Sequence, residues 1–320
     1  MNHSTHLTIE ERACIALYRK QGKSQAEIAR LLERSPSVIS RELKRNSSYD
    51  GSYNAVGAQR KYKARRKGCA STPKLVADKD LLALVCKGLS RYWSPEQIAQ
   101  TLPKGKRVCF NTIYRAISKG LIPKEFCIKL RRYGKRLKHK GKKTGIAYDF
   151  SSVRPIAQRP LGVGSRNRYG HWELDTIVLR KESGCHIATF VERKSRLVLM
   201  RRIPNKKAVT MSDAIITAMS CIPPKLRKTF TVDRGLEFTD WQRLESELNV
   251  KVYFCDPYSP HQRGTNENTN GLIRQFFPRK TILPEITDEA ISKVENLLNN
   301  RPRKCLGWNT PYQKILLHLG

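Results

Sequence analysis

The chain has 320 residues, with 62 Lys or Arg against 27 Asp or Glu, and a formal net charge of +35 at pH 7. A soluble domain needs only a few net charges, so this excess predicts a polyanionic partner, of which nucleic acid is the obvious one. The sequence has no apolar run of transmembrane length and no signal-peptide core near its start. We therefore expect no membrane partner and a cytoplasmic, nucleoid-associated location.

The cysteines argue against two common small-domain frameworks. Their number is odd, and no two of them are spaced as a C-x-x-C pair. A disulfide framework and a zinc finger both need regular spacing, so we expect most of these thiols to be small, buried, reduced side chains.

Residues 7–45 have the pattern of a helix-turn-helix. Thr8 and Ser24 each precede apolar residues at helical spacing and are expected to cap a helix, and E-R-S-P separates the second helix from a third at residues 37–45. A tight turn followed by a polar helix is the architecture that enters the major groove, and the basic composition favours this over a plain three-helix scaffold. The residues expected on bases or phosphates are Ser35, Ser37, Ser40, Arg41, Lys44 and Arg45.

A basic stretch, a second helical unit and a basic connector follow. The run R-K-Y-K-A-R-R-K before residue 68 suits either a phosphate backbone or a solvated helix face. The pattern of residues 74–89 predicts one helix, and Ser94 is expected to cap a second. Residues 108–118 are expected to form a second recognition helix, so this helical unit loosely repeats the helix-turn-helix of residues 7–45. Residues 123–168 predict an extended or partly disordered arm on DNA. The expected DNA contacts are Asn111, Thr112, Arg115, Arg131, Arg132 and Arg136.

The composition changes at Tyr169, where alternating apolar patterns begin. They predict a three-stranded meander, followed by two helix–strand pairs and a further helix. The order βββαβαβα is that of the α/β ribonuclease-H-like fold, with a mixed five-stranded sheet. The expected strands are at 172–179, 185–191, 196–203, 229–232 and 251–254, and the expected helices are at 206–220, at 240–248 and after Thr265 or Asn266 as its cap.

Three carboxylates are expected to meet at one edge of that sheet. Asp175 lies within the first strand, Asp233 ends the fourth, and Glu267 lies in the first turn of the helix after the fifth. Carboxylates without a His/Cys set favour Mg²⁺ or Mn²⁺. Two such ions about 4 Å apart can activate a water or a 3′-hydroxyl and stabilise the leaving oxygen of a phosphodiester. Arg274 lies seven residues after Glu267 on the same helix face, where a cation suits a phosphate.

Other polar residues nearby have two readings. Glu173 shares a strand face with Asp175, so it lies near the metals or, as we favour, in a structural salt bridge. His261, Gln262 and Arg263 precede the last helix and belong either to the DNA interface or to plain loop surface.

Several stretches together resemble one family. G-H-W-E-L-D, T-V-D-R-G-L-E-F, Y-S-P-H-Q-R-G-T-N-E-N-T-N-G-L-I-R and N-N-R-P-R-K-C-L-G-W-N-T-P resemble the catalytic domain of the insertion-sequence-thirty family of bacterial DDE transposases. The stretch I-A-R-L-L-E-R-S-P-S-V-I-S-R-E-L-K-R-N resembles that family's amino-terminal domain. The resemblance implies Asp175, Asp233 and Glu267 as the catalytic triad and Arg274 as its basic helper. It also implies that the first domain binds terminal inverted repeats and that the ends join through a circular intermediate.

These observations predict a metal-dependent DNA transposase that acts on double-stranded DNA as a homo-oligomer, without a small-molecule substrate. The alternatives are a regulator derived from a transposase, with an idle core, and a structure-specific nuclease of the same fold. The expected domains are a helix-turn-helix (1–50), a basic linker (51–73), a second helix-turn-helix-like unit (74–122), a basic connector (123–168), the catalytic core (169–284) and a helical extension (285–320).

Overall fold

The computed structural model describes residues 6–69, 72–131, 152–179, 186–257, 259–278 and 286–319. The chain divides into two compact units, Met1–Ala77 and Asp78–Gly320. In these described ranges, no helix is both long and apolar enough to cross a lipid bilayer.

The first unit is helical, and local capping starts two of its helices. Thr8 and Ser24 cap these helices, as the sequence predicted, and each also forms a capping box with the glutamate three residues later. Ile15, Ile28, Ile39 and Leu43 form its core. The helices are α1 (Ile9–Lys20), α2 (Gln25–Leu31), α3 (Pro36–Asn46), α4 (Ala55–Gly68) and α5 (Lys74–Ala77).

The second unit begins with short helices, and here one sequence prediction is wrong. Residues 74–89 do not form one helix, because the chain breaks at Asp78. The Asp78 side chain caps the next helix by accepting from Leu81 N at 3.0 Å, and it pairs with Lys106 Nζ at 2.7 Å. The helices are α6 (Lys79–Ser90), α7 (Pro95–Thr101), α8 (Phe110–Ser118), α9 (Lys124–Cys127) and α10 (Leu161–Gly164).

A five-stranded sheet in the order β3-β2-β1-β4-β5 forms the centre of this unit. The first three strands are an antiparallel meander, and β4 and β5 continue the sheet parallel to β1. This is the mixed sheet that the sequence predicted. The strands are β1 (His171–Val178), β2 (His186–Glu192), β3 (Val198–Ile203), β4 (Thr229–Val232) and β5 (Lys251–Phe254).

The two faces of the sheet bury different helices. On one face, Trp172, Leu174 and Phe190 pack with the helices α11 (Ala208–Ser220) and α12 (Trp241–Leu248). On the other face, Ile177 and Val191 pack with α13 (Gly264–Ile273) and α14 (Asp288–Asn299). Alternate residues of β1 therefore point to opposite helix layers, and Glu173 and Asp175 share the face of α13. The last helix is α15 (Pro311–Leu319).

Within this unit, α7 and Tyr92 just before it contact the segments that follow α13 and α14. Gln97 Nε2 donates to the carbonyl oxygen of Pro302 at 2.6 Å, and Gln97 Oε1 accepts from Arg301 Nε at 3.0 Å. The rings of Tyr92 and Phe276 lie 4.6 Å apart. Burial lowers the pKa of Arg301 to about 9, with the nearby cations Arg303 and Arg131 adding to this effect.

The start of α13 differs from the sequence expectation. Neither Thr265 nor Asn266 caps this helix, because both lie inside it and are buried; Arg263 occupies the cap position without a side-chain cap bond. Glu173 of β1 and Arg196 of the turn between β2 and β3 bind the first turn of this helix instead.

Candidate active site

Asp175 and Asp233 meet where β1 and β4 run side by side. The parallel register pairs Glu173 with Thr231, so two residues further on Asp175 is level with Asp233, which directly follows β4. The strand register alone therefore brings two of the three predicted carboxylates to the same edge of the sheet.

Arg263 bridges these two carboxylates. Its Nη1 lies 3.2 Å from Asp175 Oδ1, and its Nη2 lies 2.5 Å from Asp233 Oδ2. Nη1 also donates to the carbonyl oxygen of Leu174 at 2.9 Å. The Arg263 side chain is only 14% exposed, so the pair of carboxylates shares one cation in a partly desolvated place.

Electrostatics at this edge reflect burial and the shared cation. The pKa of Asp233 is raised above its usual value because burial disfavours the charged form, which Asp175 reinforces and Arg263 opposes. Burial disfavours the charged form of Arg263 too, yet Asp175 and Asp233 raise its pKa above the ordinary value. The guanidinium is therefore held as a cation by the two carboxylates.

Asn270, one turn along α13 from Glu267, orients Asp175 from the other side. Asn270 Nδ2 donates to Asp175 Oδ2 at 2.7 Å, and its Oδ1 accepts from Thr189 Oγ1 at 3.2 Å. The backbone N–H of Thr176 donates to Asp175 Oδ1 at 2.9 Å. Both oxygens of Asp175 thus have fixed partners, which sets the rotamer of the carboxylate.

Glu267 lies on α13 between Arg263 and Asn270, on the same helix face as both, and its side chain is exposed. No group of three or more His, Cys, Asp or Glu residues in the described ranges is arranged to hold a metal ion. The structure therefore brings Asp175 and Asp233 together, while Glu267 stands on the neighbouring helix outside such a group.

A buried ion pair anchors the helix that carries Glu267. Glu173 is fully buried; its Oε1 lies 2.6 Å from Arg193 Nη1, and its Oε2 accepts from the backbone N–H of Asn266 at 2.9 Å. Thr265 Oγ1 accepts from Arg196 Nη1 at 2.9 Å. The structural salt bridge predicted for Glu173 is confirmed, and it ties the first turn of α13 to β1.

Two predicted basic residues lie along the same helix. Arg274 is at the carboxyl end of α13 and donates to the carbonyl oxygen of Val178. A Cβ placed on Gly271 would lie 2.5 Å from Arg131 Nη2, so the Arg131 guanidinium lies against α13 one turn beyond Glu267. Arg132 and Arg136 lie outside the described residues.

The predicted recognition helix has the expected division of faces. On α3, Ile39 and Leu43 are buried in the core of the first unit, which fixes the helix to its body. On α8, Asn111 and Arg115 are exposed and Thr112 is half-buried. The residues predicted to meet DNA on α3 and at its start are all exposed: Ser35, Ser37, Ser40, Arg41, Lys44 and Arg45.

The sequence interpretation missed two residues of the site. Arg263 was assigned either to DNA contact or to loop surface, yet it binds both aspartates, and Asn270 was not considered. The available signal was spacing, because Arg263, Glu267, Asn270 and Arg274 recur at helical intervals.

Two family models match parts of this chain. Residues 3–46 match a family model described as a helix-turn-helix domain, and residues 165–260 match an integrase core domain. The catalytic core domain of BIV integrase covers 47% of this chain at 22% identity and a TM-score of 0.38, with 95% of its own length covered. A helix-turn-helix unit combined with an integrase core defines a DNA-processing polynucleotidyl transferase of the DDE class.

Full-length relatives narrow that class. The chain is 39% identical to transposase InsI of insertion sequence element IS30C from Escherichia coli (strain K12), over 97% of this chain and 83% of the relative. It is 35% identical to the transposase of IS1086 from Cupriavidus metallidurans, over 96% and 93% of the two chains. A third relative, the transposase of IS4351 from Bacteroides fragilis, is also 35% identical, over 98% and 96%. The chain belongs to the IS30 family of DNA transposases, whose integrase core implies DNA binding and the use of a divalent metal.

Proposed function

We propose that the protein binds the terminal inverted repeats of its own element through α3 and uses Asp175, Asp233 and Glu267 to cut and join DNA strands. The observation that carries this proposal is the convergence of Asp175 and Asp233 on the single guanidinium of Arg263. Two partly buried carboxylates at one sheet edge are costly unless a cation neutralises them, and such a place suits a phosphodiester reaction.

The metal in this proposal is Mg²⁺, or Mn²⁺ in its place. The donor set fits, because carboxylate oxygens are the ligands that these ions prefer and the oxygens of Asp175 and Asp233 already face one positive charge. Glu267 is the third proposed ligand, from the exposed face of α13. When bound, such an ion supplies Lewis-acid stabilisation of the phosphate and activation of the attacking oxygen.

The proposed chemistry is two in-line displacements at phosphorus. In the first, water attacks the phosphodiester at the element's end; a new P–O bond forms, the bond to the 3′-oxygen breaks, and that oxygen leaves as a 3′-hydroxyl. In the second, this hydroxyl attacks a phosphodiester in another strand, and one new bond replaces one broken bond. The strand-transfer step conserves the number of phosphodiester bonds, so it needs no energy-supplying small molecule.

The protein's own residues hold this site in place. Asn270 and the Thr176 N–H fix the two oxygens of Asp175, and Glu173 fixes the first turn of α13. Correct placement of the reacting groups is a large part of phosphoryl-transfer catalysis. Arg274, which is tied to the end of β1, is the proposed basic helper for the phosphate.

Assembly and location follow from the same proposal. Two element ends must be brought together before they are joined, so we propose a homo-oligomer, a dimer or larger, on DNA. A cytoplasmic, nucleoid-associated protein would meet both the element and its targets there.

The test compares Glu267→Gln with the intact protein on duplexes that carry the element's ends, in Mg²⁺ and in Mn²⁺. Nicking and joining are measured on gels, and DNA affinity is measured separately by fluorescence anisotropy. Glu247→Gln is the matched control, because Glu247 is another exposed glutamate on a helix of the same core. We expect Glu267→Gln to lose nicking and joining while binding the ends as the intact protein does, and the control to keep all three.

Two other outcomes would favour one of the two alternative functions. Cleavage of branched duplexes irrespective of the terminal repeat would favour a structure-specific nuclease. Tight binding of the ends by the intact protein without nicking or joining in either metal would favour a regulator with an idle core.

A further inference from the structure

The helix α4 lies outside the part of the chain that matches the helix-turn-helix model, which ends at residue 46. Its sequence, A-V-G-A-Q-R-K-Y-K-A-R-R-K-G, has six cations and no acid. Like charges three or four residues apart on a helix repel each other. A helix of this composition therefore depends on anchoring to the rest of its unit, and an anionic partner would stabilise it further.

A buried polar network supplies the anchoring. Arg12 of α1 is 2% exposed; it donates from Nε to Glu42 Oε1 on α3 at 2.8 Å and from Nη1 to Gln59 Oε1 on α4. Tyr53 OH donates to Glu42 Oε1 at 3.0 Å, and Ala58 of α4 is fully buried. The three helices are thus held in a fixed arrangement, with the charge of Arg12 neutralised by Glu42.

This arrangement leaves a groove of about 410 Å³ between α3 and α4. Arg41 and Arg45 line it from α3, and Arg65 and Arg66 line it from α4. The carboxylate in its lining is that of Glu42, which is already paired with Arg12. In the described part of the chain, these four arginines form no ion pair with a carboxylate.

The groove borders the surface that is proposed to read DNA. Arg41 and Arg45 are exposed and lie on the edge of the same α3 face that carries Ser37 and Ser40. A duplex seated against that face would bring its sugar–phosphate backbone past the groove, where four guanidiniums suit a phosphate.

We propose that this groove clamps a phosphate of the DNA backbone, so that α4 provides a second, sequence-independent contact beside the recognition helix. The proposal rests on the proposed binding of DNA by α3. The occupant is a phosphodiester group, and the contact adds affinity and register without reading bases.

The test uses the full-length protein and two duplexes of equal length, one with the terminal repeat and one unrelated. Binding is measured by fluorescence anisotropy across a series of salt concentrations for Arg65→Gln/Arg66→Gln. The matched control is Arg60→Gln/Lys67→Gln, which removes two charges from the opposite face of the same helix. Arg65 also donates to Asn46 Oδ1 at 2.7 Å, so Arg66→Gln alone, which leaves that bond intact, is measured as well.

The plot of log K against log salt has a negative slope, and each lost phosphate contact makes that slope shallower by about 0.9. We expect the groove variant to make that slope shallower by up to about 0.9, the effect of one lost phosphate contact, with equal loss of affinity on both duplexes. Arg66→Gln should give a smaller change in the same direction, and the opposite-face control should stay near the slope of the intact protein.

Equal slopes for the groove variant and the intact protein would overturn the clamp. Equal changes in slope for the groove and opposite-face variants would also overturn it, because net charge alone would then explain the effect. Failure of the intact protein to prefer its terminal repeat would instead count against the proposed function. The clamp would still be decided on the unrelated duplex, because a phosphate contact does not depend on base sequence.

Discussion

The substitution Glu173→Gln tests whether the buried ion pair positions α13, the helix that carries Glu267. Glu173 is fully buried between two donors, the guanidinium of Arg193 and the backbone N–H of Asn266. Glutamine keeps the shape of the side chain but removes its charge, and its amide N–H₂ replaces one acceptor with a donor. Arg193, which is 5% exposed in its side chain, is then left as a buried cation without its counter-ion.

The expected loss is large because the pair is shielded from water. Breaking a buried ion pair by removing one partner costs about 3–5 kcal/mol in free energy of unfolding. The one remaining oxygen accepts from the Arg193 guanidinium, so the backbone N–H of Asn266 faces the amide N–H₂ and the first turn of α13 loosens. A displacement of about 1 Å at a catalytic group costs about 10²-fold in rate, so we expect strand cleavage to fall by about that factor through Glu267.

Urea unfolding followed by circular dichroism measures the first quantity, and nicking at a temperature where the variant is folded measures the second. The double variant Glu173→Leu/Arg193→Met separates them. Because it removes both charges, it should restore much of the stability, while it still lacks the acceptor for Asn266 and should stay slow. A stability loss below about 1 kcal/mol for Glu173→Gln, or a double variant that cleaves at the rate of the intact protein, would refute the reasoning.

Two further predictions concern charged and titratable side chains of the sheet. Arg263→Gln leaves Asp175 and Asp233 facing each other, so we expect the free energy of unfolding without divalent ions to fall by about 1–3 kcal/mol. We also expect Mn²⁺ to raise the melting temperature of the variant more than that of the intact protein. Equal shifts in melting temperature would contradict this. Burial, reinforced by nearby cations, lowers the pKa of His171 from 6.5 to about 4. The buried neutral imidazole therefore contributes about 3 kcal/mol to the free energy of unfolding above pH 6.5, and this contribution is lost as the pH falls towards 4. In His171→Gln, the melting temperature should fall less between pH 6.5 and 4, and an unchanged profile would count against the assignment.

The sheet was predictable because its signals are local. β4 and β5 have the predicted bounds, 229–232 and 251–254, and the other strands begin and end within two residues of the expected positions. These strands are runs of apolar and β-branched residues between turn residues, so burial and propensity favour the same structure. The capping boxes at Thr8 and Ser24 were predictable for the same reason, since both partners lie within one turn.

The start of α13 was not predictable, because its caps come from distant parts of the chain. Thr265 and Asn266 are good capping residues by type, yet the backbone N–H of Asn266 is satisfied by Glu173 of β1, and the Thr265 hydroxyl accepts from Arg196. When tertiary partners satisfy the first turn, the residue type at the cap no longer decides where the helix begins.

The role of Arg263 was hidden for a related reason. A basic residue in a loop beside a DNA-processing site has an obvious reading as a DNA contact, and only the register of β1 against β4 shows that two aspartates lie within its reach. The sequence gives the identity of the carboxylates, whereas their shared cation depends on the packing of α13 against the sheet.

The same packing explains why the site can hold like charges together. Asp175 and Asp233 are level on adjacent parallel strands, which costs repulsion and desolvation, and Glu267 would add a third negative charge from α13. Within the described residues, Arg263 offsets that cost for the first two, and Asn270 offsets it by donation without adding charge. A divalent ion at this edge would have to replace the contribution of Arg263, so metal affinity should depend on a residue that is not itself a ligand.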